Sequence, residues 1–105
     1  HSRWHRVASD ETWHFHEGDA LELLLAPPDV ATVRRLRLGP ALASDGPALT
    51  VPAGWWQAAR PLGAYALVGC TVAPGFEFAD FAFLRDDASA LEPLRATDPA
   101  AAVYA

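Results

Sequence analysis

Residues 11–18, ETWHFHEG, alternate carboxylate or aromatic with polar side chains at a period of two. That is the mark of a β-strand with two unlike faces. Glu11, Trp13 and Phe15 fall on one face; His14 and His16 fall on the other. Gly18-Asp19 closes the strand as a tight turn. Working outward, residues 20–26 (ALELLLA) read as the next strand, stopped by Pro27-Pro28-Asp29. Residues 30–38 (VATVRRLRL) read as a strand that exposes its arginines. Loop follows to Pro47, and residues 48–51 form a short strand. After Pro52-Ala53-Gly54 another strand leaves through Trp55 and Trp56. Residues 65–72 (YALVGCTV) are nearly all apolar and predict a central strand buried on both faces. Residues 76–84 alternate again, with a phase change at Asp80 that predicts a bulge. Strands at about ten-residue spacing, with Gly/Pro turns between them, predict an all-β sandwich or barrel. The signal fades after Arg85, and Pro93 and Pro99 limit regular structure there. We therefore expect a β-barrel domain over residues 1–85 and a tail over 86–105 that holds at most a short helix.

The chain has 105 residues, 51% of them hydrophobic, which is one small domain with a core. Net charge is −5, and all eight positive charges are arginine. No basic stripe tracks phosphates, so nucleic acid is not expected as a partner. No apolar run approaches the ~20 residues that a membrane helix needs. No charged segment followed by an apolar one opens the chain as a signal peptide would. The single cysteine, Cys70, excludes an intrachain disulfide, and a reducing cytoplasm is the expected location.

Chemistry concentrates between His5 and Gly18. Three imidazoles and Glu11 could supply ligands to a divalent metal. Strand parity separates Glu11 from His14 and His16, which argues against one simple site made of these three. If Glu11 faces the barrel interior beside Trp13 and Phe15, burial makes it a candidate general acid or base. The competing reading pairs Glu11 with Arg6 or Arg60. Of Trp55 and Trp56, one must face inward and offer a flat wall to a ring; Trp56 is the expected one. Gln57 both donates and accepts, which suits it to orienting a hydroxyl or amide. Cys70, inside the most apolar run, reads as a buried inert thiol. Arg34, Arg35 and Arg37 form a phosphate candidate or, more simply, a solvated strand face. Glu77 and Asp80 sit among phenylalanines, where solvation at an edge is the plainer reading.

Three blocks carry a family resemblance: residues 11–18 (ETWHFHEG), 51–59 (VPAGWWQAA) and 67–81 (LVGCTVAPGFEFADF). In this order they resemble the fifth cupin family, a group long labelled a domain of unknown function, over residues 2–84. The resemblance implies a cupin double-stranded β-helix, a jelly-roll barrel. It also implies a homodimer and a shape related to nucleotide-sugar epimerases. Family members usually begin with a further N-terminal segment, so this chain is expected to be short of those strands. That would open a sheet edge for a partner to cover. Metal-binding cupins place a histidine where Gln57 stands here, and of their other ligands His5 and Glu11 have counterparts. The resemblance therefore implies no cofactor. A divalent metal held by His5, Glu11, His14 and His16 is the alternative.

The function expected from all this is a cupin that binds a small molecule. His5 and Glu11 are the candidate catalytic residues, and Trp13, Phe15, Trp56, Gln57 and Phe78 the candidate walls and hooks. If the protein is an enzyme, its reaction is epimerase- or isomerase-like proton transfer on a sugar or carbonyl substrate. A metal-dependent dioxygenase or isomerase is one alternative. A non-catalytic binding or assembly module is the other.

Overall fold

The computed structural model describes residues 2–75 and 78–105, with backbone alone for Phe78. Two antiparallel sheets form a jelly-roll sandwich. The larger has the order β4-β3-β6-β1-β8 and the smaller β5-β2-β7. The strands are β1 (Ser2–Arg6), β2 (Asp10–Gly18), β3 (Leu21–Ala26), β4 (Arg34–Leu38), β5 (Ala48–Val51), β6 (Trp56–Pro61), β7 (Ala66–Ala73) and β8 (Ala82–Phe83). One helix, α1 (Ala88–Thr97), follows.

Period two divides the apolar residues of β3 between two cores. Leu21, Leu23 and Leu25 join Trp13, Leu38, Val51 and Ala59 between the sheets. Leu24 and Ala26 join Trp4, Trp56, Ala58, Ala90, Leu94 and Ala101 beneath the helix. The large sheet is thus covered on both faces, which is why ALELLLA shows no polar alternation beyond Glu22.

Three readings of the sequence are corrected. Residues 65–72 do not make a central strand: among the described residues β7 hydrogen-bonds only to β2, at the edge of the small sheet. An apolar run reports that side chains are apolar, not that both faces are covered. Residues 76–84 do not form one bulged strand. Phe76 and Glu77 lie outside the described residues. Beyond them come a 3-10 turn (Phe78–Asp80), the two-residue β8 and a second 3-10 turn (Leu84–Asp86). Finally, Pro93 does not stop the helix but lies inside it. Asp87 caps the first turn, accepting from the Ser89 amide at 3.1 Å and the Ser89 hydroxyl at 2.6 Å. Burial of Ala90 and Leu94 then holds the helix across the hydrogen bond that proline cannot make.

The helical end is tied to the sheet by polar contacts as well. Trp4 Nε1 donates to the Ala101 carbonyl at 2.8 Å, and Arg35 Nη1 donates to Asp98 Oδ2 at 2.6 Å. Arg35 of β4 is therefore engaged with the helical end. No helix among the described residues is long and apolar enough to cross a membrane.

Candidate functional site

The inner face of β2 carries the polar group that the sandwich must account for. Glu11 and Trp13 alternate inward with Phe15, and Glu11 is only 9% exposed. Opposite them, β6 turns Gln57 inward, 1% exposed, from the larger sheet. Trp13 Nε1 donates to Gln57 Oε1 at 2.7 Å, and Gln57 Nε2 donates to Glu11 Oε1 at 2.8 Å. An indole can only donate, so it fixes which end of the amide is oxygen. The amide nitrogen must then face the carboxylate. This relay joins the two sheets and satisfies three polar groups inside an apolar wall. Among the described residues no cation lies within ion-pair distance of Glu11, so the pairing with Arg6 or Arg60 does not occur. Arg60 Nε instead donates to Glu22 at 3.0 Å, and Arg6 lies 4.0 Å from Asp87.

His5 sits beside this relay. It is the register partner of Gln57 across β1 and β6, and therefore shares its face. Its Nδ1 lies 2.7 Å from the Arg3 carbonyl. A carbonyl can only accept, so Nδ1 carries the proton and neutral His5 keeps a lone pair on Nε2. Its ring stacks on Phe81, with centroids 5.4 Å apart and planes inclined by 19°. Phe83 meets Phe81 edge-on at 4.8 Å.

Cys70 is the residue that sequence reasoning missed. It pairs with Trp13 across β2 and β7, which turns it to the inner face, where its thiol hydrogen-bonds Glu11. It is exposed at the sheet edge rather than buried in a central strand. Burial of the sulfur, the Glu11 charge and the hydrogen bond to it push the thiol up to about 12. Cys70 thus stays protonated near neutrality and acts as a donor, not a nucleophile. Maleimide should label Cys70 about a hundredfold more slowly than an unperturbed cysteine. Glu11→Gln should speed labelling, because removing the carboxylate charge lowers the thiol pKa. Rate constants for labelling of the folded protein check both, and equal rates in the two proteins would contradict the contact.

The other expected residues separate. Phe15 is half-buried on the inner face, packed against the core between the sheets. Trp56 does not line the site: it is fully buried under the helix, with the Arg6 guanidinium 4.4 Å from its ring centre. Trp56 and Gln57 are adjacent on one strand and cannot share a face; Trp55, packed at the inner core, takes the inward place. The Phe78 side chain lies outside the described residues. His14 and His16 face outward. His14 Nε2 contacts the Thr71 hydroxyl at 3.1 Å, and His16 folds over Gly69.

The two histidines therefore cannot join His5 and Glu11 around one ion. Among the described residues no three His, Cys, Asp or Glu side chains cluster as metal ligands. The Gln57 oxygen, the one atom of that side chain able to bind a cation, is already engaged by Trp13. This donor set does not fit a resident metal. A depression of about 320 Å³, lined by Arg6, Val7, Gly54, Asp80, Phe81 and Ala82 among others, lies at the C-terminal end of β1, where Phe81 also stacks on His5.

Comparison with known proteins gives one family match, to the model described as Cupin superfamily (DUF985), over residues 1–84. Solved structures that match include a protein from Shewanella oneidensis, 34% identical with a TM-score of 0.75, over 93% of this chain and 60% of that one. A hypothetical protein from Leishmania major matches at 30% identity with a TM-score of 0.75, over 98% of this chain and 66% of its own. The chain thus spans somewhat less than two thirds of the length of either relative. No curated protein sequence matches it.

Proposed function

Because this chain belongs to the cupin superfamily, in the family described as DUF985, we propose that it binds a small molecule at the inner-face mouth beside Glu11, without a resident metal. The observation that carries this reading is the Trp13–Gln57–Glu11 relay, which holds a buried carboxylate without a cation beside an apolar wall. A fold that needed only stability would do as well with apolar groups at these positions. Ligand pockets combine apolar walls with a few oriented polar groups in the same way.

The chemistry proposed is proton transfer at a carbon next to a carbonyl, on a sugar or a small carbonyl acid. His5 Nε2, which carries the ring's lone pair because Nδ1 donates to the Arg3 carbonyl, takes the proton. The remaining Gln57 amide hydrogen donates to the oxygen where charge develops. Glu11 holds that amide in place, and Phe81 fixes the imidazole plane.

Thermal melts of protein purified without a histidine tag, against nucleotide-sugars and small carbonyl acids, test the binding. We expect at least one class to raise the melting temperature by several degrees, and His5→Ala to abolish the shift. Proton exchange at the substrate α-carbon, followed by NMR in deuterated water, should vanish in the same variant. Silence across the panel, or stoichiometric metal that disappears with His5→Ala, would overturn the reading.

A further inference from the structure

The outer face of the small sheet holds two histidines that the inner mouth does not use. His14 is the register partner of Gly69, and His16 folds back over that glycine. The missing side chain is what makes room: a Cβ at position 69 would stand 3.0 Å from His16 Nε2, closer than ordinary contact. The register of β2 on β7 then shifts between Phe15 and Glu17. His16 and Glu17 together stand opposite Leu67, as at a bulge. Paired residues share a face. Leu67 follows Gly69 at period two, and its neighbours Ala66 and Val68 pack at the inner core. The shift therefore brings Glu17 to the outer face with His14 and His16, although its number has the parity of Glu11, Trp13 and Phe15. Residues 14–17, HFHE, turn two imidazoles and a carboxylate outward.

We infer that His14, His16 and Glu17 form a surface site for a divalent cation of the zinc class, separate from the mouth beside Glu11. Two imidazoles and a carboxylate are a donor set that such ions take, with water completing the shell. Histidines two apart on a strand are spaced roughly 6–7 Å along it, a span that two imidazoles can close on one ion. The net charge of −5 favours a cation near the surface. Without an ion the donors stand apart, and among the described residues no three of this kind cluster. His14 Nε2 lies 3.1 Å from the Thr71 hydroxyl. His16 and Glu17 are exposed and His14 is half-buried. The site therefore assembles by rotation of surface side chains, at the loss of one exposed hydrogen bond. Its donors follow from the β2–β7 register and not from an open sheet edge. It shares no ligand with the mouth and does not depend on what the mouth binds.

Isothermal titration of untagged protein with zinc alone tests this. One saturable site is expected. His14→Ala and His16→Ala should each weaken binding by roughly tenfold or more, because each removes a ligand. Glu17→Gln should weaken it severalfold, since the amide keeps an oxygen but loses the charge. Gly69→Val removes no ligand but fills the space that His16 occupies, and should weaken binding as well. Near-UV circular dichroism checks that each variant is folded. Imidazole proton–nitrogen NMR spectra should show zinc shifting the His14 and His16 rings while His5 stays unchanged. Absence of saturable binding would overturn the inference. So would binding that survives the double variant His14→Ala/His16→Ala, or zinc-dependent shifts at His5 in place of the other two. Only the last of these also counts against a metal-free mouth.

Discussion

A Gln57→Leu chain should lose about 3 kcal/mol of stability, the largest loss expected from one change in the sandwich core. Leucine has a similar volume, so packing contributes little to the difference. What is lost is both ends of the relay at once. Trp13 Nε1 loses its acceptor and the buried Glu11 carboxylate loses the amide that donates to it. The carboxylate costs more, because the Cys70 thiol, a weak donor, cannot by itself replace water's hydration of a buried charge. In a domain of this size the loss lowers the melting temperature by roughly 12–24 °C. The compensating variant identifies the cause: Glu11→Leu added to Gln57→Leu should recover part of the loss, since both sides then become apolar. Thermal and urea melts of the two variants measure it. If Gln57→Leu melts within a degree or two of the parent, Glu11 is not buried as a charge and the relay does not matter to the fold.

Leu94→Ala should cost about 3 kcal/mol, although it lies outside the β-sandwich and after the last strand. Leu94 is fully buried and joins Trp4, Leu24, Trp56 and Leu84 beneath the helix. Truncation opens a cavity against two indoles that cannot move to fill it. The expected readout is a single cooperative transition at lower temperature, the same by far-UV and by tryptophan signals. Two separate transitions, with the sheet melting as in the parent, would mean that α1 is an appendage and not the cover of the larger sheet. Scanning calorimetry distinguishes the outcomes.

The strand character of residues 11–18, 21–26 and 48–51 was legible because alternation and turn residues are local signals. The facing of Glu11 with Trp13, away from His14 and His16, was legible for the same reason: parity needs only one strand. The same rule, applied to β6, also shows why Trp56 and Gln57 could not both line one site. Choosing between Trp55 and Trp56 required knowing where β6 begins and which of its faces meets β2. The helix was harder to read, since Pro93 argues against it locally and burial of Leu94 against the sheet argues for it.

Composition and periodicity by themselves determined that this chain folds as strands, with a carboxylate and two aromatic side chains on one face of β2. They also left the histidines of that strand on the other. Only the tertiary structure decided what meets that carboxylate: an amide from β6, and a thiol from β7 that the sequence places some sixty residues away. It also decided that the most apolar strand is an edge. Hydropathy is a property of the residue, whereas coverage depends on which strands lie beside and above it, and that is set by pairings between distant segments.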